Sequence, residues 1–107
     1  SDNNFTAEGV IGNAIHRITL RSMIEIIESL KNDSNNAINS STSISTKKSK
    51  AKEIFIRNAE RDIKINWKHY MLSNIQNPLP SILDDLEIRA DKLFLDRNLK
   101  FVISKFH

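Results

Sequence analysis

Residues 50–77 read KAKEIFIRNAERDIKINWKHYMLSNIQN, a run without glycine or proline. Within it Ile56, Ala59, Ile63, Trp67 and Tyr70 recur at three- and four-residue spacing. On a helix of 3.6 residues per turn that spacing makes one apolar face. Ile54, Ile65 and Leu72 fall roughly opposite. Two opposed apolar stripes predict a central helix with neighbours on two sides. Glu53 and Arg57, and Glu60 and Lys64, stand four apart in the order that supports a helix. Between the seams, Arg57, Arg61, Lys64 and Lys68 form a basic stripe at i, i+4, i+7 and i+11.

Beyond this run the chain reads Asn77-Pro78-Leu79-Pro80, which ends the helix because each proline restricts the residue before it. Ser81 then serves as the expected N-cap of the next helix, with Asp84, Asp85 and Glu87 where the helix dipole favours acids. Its main face is Ile82, Leu83, Leu86, Ala90, Leu93 and Phe94. A second face is Ile88, Leu95, Leu99, Val102, Ile103 and Phe106. Asp96-Arg97-Asn98 is a possible stop within an element expected over 81–106.

On the other side, residues 32–49 are a polar Asn/Ser/Thr-rich tract without apolar periodicity. Such a segment buries too little to offset its ordering entropy, so a long disordered loop is expected there. Residues 6–31 carry two helical stripes: Ile11, Ala14, Ile15 and Ile18, then Leu20, Met23, Ile24, Ile27 and Leu30. A single continuous helix is the favoured reading. A break near Thr19–Ser22 is the alternative, because Ser22 and Glu25 have capping-box spacing. The predicted fold is all-α: an antiparallel bundle of three principal helices, 6–31, 50–77 and 81–106, with the loop 32–49 between the first and second.

A chain of 107 residues fits one domain. Its opening, Ser1-Asp2-Asn3-Asn4, is read as that of a domain cut from a larger protein. The absence of cysteine removes disulfides and thiolate chemistry, and points to a nuclear or cytoplasmic setting, nuclear favoured, over a secreted one. No apolar run approaches the roughly 20 residues that span a bilayer. Net charge is +3. Residues 1–33 carry three Lys/Arg and five Asp/Glu, residues 34–77 eight and three, and residues 78–107 five and five. The middle segment is therefore the basic surface.

His16, His69 and His107 have no helical metal-ligand partner, and no phosphate loop or nucleophile motif occurs. Neither an enzyme, a cofactor, a metal nor a small-molecule substrate is expected. Trp67 and Tyr70 are expected in the core, with an aromatic interface anchor as the alternative.

A three-helix bundle needs about one apolar stripe per helix, and here each helix has a surplus. A broad core or an interface would absorb it, and Leu95, Leu99, Val102, Ile103 and Phe106 are the expected interface set. The basic stripe has three readings: a solvated face, a contact to nucleic-acid phosphates extended by Lys47, Lys48, Lys50 and Lys52, or a contact to an acidic or phosphorylated protein. Lys47-Lys48-Ser49-Lys50-Ala51-Lys52 also resembles a nuclear-import cluster. The expected function is protein–protein assembly, with a protein partner or a second copy. Arg57, Arg61, Lys64 and Lys68 would steer it. Nucleic-acid binding through the same stripe is the alternative.

Overall fold

The computed structural model describes residues 6–35 and 44–95. It is all-α, with no strand among the described residues. The helices are α1 (Ala7–Asn35), α2 (Ile44–Ile65), α3 (Trp67–Leu72) and α4 (Leu79–Leu95).

Thr6 caps α1. Its hydroxyl accepts the Gly9 N–H at 3.0 Å, which satisfies a donor that the first helical turn leaves unpaired. The helix runs unbroken through Thr19–Ser22. Ser22 caps nothing, because its side chain is buried and accepts a hydrogen bond from Asn58 Nδ2 of α2 at 3.0 Å.

The stretch expected to be a loop, 32–49, is helical at both edges, and residues 36–43 lie outside the described residues. Tertiary anchors override the polar composition at its second edge. Ala51 is buried, and Lys48 and Lys52, one turn apart, are ion-paired with Asp91 and Glu87 of α4. The Lys52–Glu87 contact measures 3.1 Å. The Lys48 hydrogen bond is the main influence holding the Asp91 carboxyl below its ordinary value.

The helix expected over 50–77 is two helices. α2 stops at Ile65, and Asn66 steps out of helical geometry at φ −105° and ψ 20°. Its side-chain amide donates to the Asp62 carbonyl at 3.1 Å and to Asp62 Oδ1 at 3.2 Å. Asparagine competes for backbone partners in this way, which is why it interrupts helices. α3 then ends at Leu72, five residues before Asn77. Asn74 takes the left-handed conformation at φ 59°. Ile75 N–H donates to the Tyr70 carbonyl at 2.9 Å and Asn74 N–H to the Met71 carbonyl at 3.0 Å. This pair of bonds is a Schellman motif and closes the helix.

α4 starts at Leu79, two residues before the expected cap. The Pro78 carbonyl accepts the Ile82 N–H at 3.1 Å, so Ser81 is inside the first turn. Pro80 fits there because first-turn N–H groups lack helical partners in any case. Glu87 and Asp91 serve as partners for α2 lysines, and Asp85 lies 3.5 Å from Arg89 one turn on. α4 is described to Leu95; the expected continuation to 106 lies outside the described residues.

The cross-links between helices descend along one partner as they ascend along the other. Arg17, Ser22 and Glu25 of α1 meet Asp62, Asn58 and Arg57 of α2. Lys48 and Lys52 of α2 meet Asp91 and Glu87 of α4. The core gathers Val10, Ala14, Ile15, Ile18 and Ile26 of α1 with Ala51, Ile54, Phe55 and Ala59 of α2, Tyr70 of α3, and Ile82, Leu86 and Ala90 of α4. Fully burying an aliphatic or aromatic side chain of this kind contributes about 1.5–3 kcal/mol. The four large aliphatics Ile18, Ile26, Ile82 and Leu86, at most 1% exposed, are therefore the main weight of the core.

Candidate functional site

The face of α2 that meets α1 and α4 is Ala51, Phe55, Asn58, Ala59 and Asp62, with Ile54 beside it. Of the stripe expected from spacing, Ala59 and Tyr70 are buried and Ile63 is partly buried, whereas Ile56 and Trp67 are exposed. The core face is rotated from that stripe and contains two polar residues.

Those polar residues build a network. Asp62, 5% exposed, accepts from Arg17 Nε at 2.9 Å and Arg17 Nη2 at 3.0 Å, the parallel pair that a guanidinium makes with a carboxylate. Tyr70 Oη donates to Asp62 Oδ2 at 2.8 Å. Eight residues of straight helix rise about 12 Å; the step at Asn66 interrupts that run between the two partners. The carboxylate thus joins α1, α2 and α3. Its hydrogen bond raises the Arg17 pKa, and burial, then the bond to Asp62, pushes the Tyr70 phenol well above its ordinary value. One turn earlier, Asn58 Nδ2 bonds Ser22, while Asn58 Oδ1 is buried without a hydrogen bond among the described residues. All of these side chains face one another, so the network is a fastening between helices and offers no open position to a ligand.

The outer side of α3 is the reverse. Trp67, Met71 and Leu72 of α3 are exposed, at 43%, 60% and 62%, and so is Ile65, the last residue of α2, at 65%. Four of the eight large hydrophobics that are exposed among the described residues therefore fall within 65–72. The expected core pair is split: Tyr70 is wholly buried, and Trp67, three residues earlier, is 43% exposed.

The basic stripe is divided by the same step. Arg57 is ion-paired with Glu25 of α1. Arg61 and Lys64 are exposed at the end of α2, and Lys68 is exposed on α3. In sequence those three cations are interspersed with the exposed Ile65, Trp67, Met71 and Leu72. Lys48 and Lys52, expected to extend the basic field, are turned to α4 carboxylates. Of the expected apolar interface, Leu95 closes α4, and Leu99, Val102, Ile103 and Phe106 lie outside the described residues. Leu20 and Ile24 of the second α1 stripe are exposed, while Ile27 is buried.

Sequence spacing passed over Phe55, Asn58, Asp62 and Arg17. The available signal was the 4-3-4 spacing of Ala51, Phe55, Asn58 and Asp62, the repeat of a helix seam, in which polar members read as gaps.

A shallow groove between α2 and α4 is lined by Phe55, Ile56, Leu83 and Leu86, with the ion-paired Lys52 and Glu87. Among the described residues no group of three or more His, Cys, Asp or Glu is placed to hold a metal, and no helix is long and apolar enough to cross a membrane. No family model, curated protein or solved structure matches the chain.

Proposed function

We propose that this chain is a non-enzymatic assembly module, an antiparallel three-helix unit of a larger nuclear protein, that docks an acidic amphipathic helix of a partner on α3. The observation that carries the reading is the exposure of Ile65, Trp67, Met71 and Leu72 between Arg61, Lys64 and Lys68. Tryptophan and methionine are favoured where a surface accepts another protein: the first is a large rigid anchor, the second adapts its shape. The cations select the partner's charge. In a symmetric dimer through this face the same patch would meet itself, setting like charges against each other. A partner with carboxylates around an apolar ridge satisfies both components. Nucleic acid is less favoured, because Arg57, Lys48 and Lys52 are already paired within the domain.

Trp67 is the single tryptophan of the chain, so its fluorescence reports on this face directly. A synthetic helix with leucines at i, i+3, i+4 and i+7 and glutamates elsewhere should shift that emission to the blue and saturate. Lys64→Glu with Lys68→Glu should abolish the effect, and light scattering should find a monomer without peptide. A dimer that buries Trp67 would replace the partner with a second copy. Duplex DNA binding lost in the same double variant would return the stripe to nucleic acid, and emission unmoved by every addition would sink the docking face.

A further inference from the structure

The exposed flank of the α1–α2 seam carries a second pair of unmatched charges. Glu25 and Arg57 form one ion-paired rung across it. Arg21 is one turn back along α1, and Arg61 is one turn on along α2. Because the cross-links run in opposite order along the two helices, those two steps arrive at the same level. Residues four apart share a helix face, so they also remain on the same flank. The Arg17–Asp62 contact at 2.9 Å lies one turn before Arg21 on α1 and one residue after Arg61 on α2. Counted from the Glu25–Arg57 rung, Arg21 and Arg61 occupy corresponding steps on the same exposed flank of the seam. Both are exposed, and neither has an ion-pair partner among the described residues. Lys64 is the neighbour of Arg61 at i+3 and is exposed as well.

Like charges placed opposite each other weaken a helix pair, and a glutamate at either position would repeat the stabilising rung next door. We propose that Arg21 and Arg61 form a binding site for a phosphate monoester dianion, carried by a phosphorylated serine or threonine of the partner protein. Each guanidinium offers a planar fork of donors suited to phosphoryl oxygens, and two of them match a charge near −2. A nucleic-acid backbone is a poorer fit. Its diesters carry one charge each along a track, and the basic row here is interrupted by Glu25 at Arg57 and by the helix step before Lys68. The protein source rests on the docking surface of α3; the anion site itself does not.

The test is a titration of the whole chain with inorganic phosphate against chloride at constant ionic strength, followed by the arginine Nε–H resonances. Arg21 and Arg61 should shift together and saturate. Arg21→Glu should abolish the response and raise the thermal midpoint. Arg61→Lys, which keeps charge and loses the fork, should weaken binding several-fold. Dimethyl phosphate, a monoanionic diester, should bind at least roughly tenfold more weakly. Trp67→Ser should leave the phosphate response intact, which separates this site from the α3 face. Shifts that do not saturate, or that survive Arg21→Glu, would overturn the site. A lowered midpoint in Arg21→Glu would remove the facing geometry. Diester binding as tight as phosphate would reassign the site to nucleic acid, and a phosphoserine peptide no tighter than its serine form would remove the protein-borne source.

Discussion

Inside the α1–α2 seam, a carboxylate, an amide and a phenol are buried, and the carboxylate takes hydrogen bonds from the phenol and from a partly exposed guanidinium. A few residues along the chain, the end of α2 and α3 leave an indole, a thioether and two aliphatic side chains in solvent. Burial usually sorts these chemistries the other way. Polar groups in a seam contribute little net stability but are satisfied at only one alignment of the helices, so they fix how α1 lies on α2. Apolar groups left outside have the opposite character. They are not part of the core, and under the proposed function they meet a second surface. The contrast separates residues that define the domain from residues that it offers.

The sharpest way to break the comparison is at Asp62. Asp62→Ala strands the Arg17 guanidinium and the Tyr70 hydroxyl together. Unfolding in urea should show a loss of about 3 kcal/mol, the low end for a buried pair because Arg17 is partly exposed. Tyr70→Phe removes one bond from the same carboxylate and should cost about 1–1.5 kcal/mol. The phenol also sets an alkaline limit. Its pKa is raised on folding, so the neutral form is the one the fold holds. That contribution is complete below the unfolded value of about 10 and is lost as pH rises towards the folded one. Tyr70 is the only tyrosine, so phenolate absorbance should appear above pH 10 together with loss of helical circular dichroism. Phenolate appearing at its ordinary pH while the helices persist would contradict the buried bond.

Replacing polar with apolar inside is a subtler test. Ser22→Ala with Asn58→Leu removes a pair in which Asn58 Oδ1 is already unsatisfied among the described residues. Stability should be unchanged or rise by up to about 1 kcal/mol, while amide resonances of α1 broaden as its alignment loosens. Sharp resonances would show that Asp62 alone sets the register. The smallest effect belongs outside. Trp67→Ser should change the unfolding free energy measured in urea by no more than about 0.5 kcal/mol, because the side chain is not part of the core. A larger loss would make Trp67 a structural residue and end the contrast.

These two regions were unequally legible. The all-α class followed from long apolar periodicity and scarce glycine and proline, which are local properties. The continuity of α1 was also legible, since no breaking residue interrupts it. Asn66 was harder to read: asparagine tolerates a helix and ends one with similar ease, and the outcome turned on Asp62 offering its amide two acceptors. The start of α2 was hidden for the same kind of reason, because a polar tract becomes helical when Asp91 and Glu87, some forty residues away, hold its lysines. The candidate face was half visible. Spacing placed Trp67 with Tyr70 in the core, whereas Tyr70 is buried and Trp67 is exposed. Polar core members at Asn58 and Asp62 were invisible to any search for apolar stripes.

A helix of six residues is too short to persist on its own in water. α3 is held at one end by the Schellman closure at Asn74 and on one side by Tyr70. Its outward surface therefore exists only while its inward anchor is engaged. The local opening free energy of 67–72 is then shared between Asp62 within and whatever binds Trp67 without. Amide exchange in α3 should slow when a ligand docks outside, and quicken when Asp62 is removed inside. On the proposed function, the ordering of this segment would couple docking at the surface to the alignment of α1 on α2.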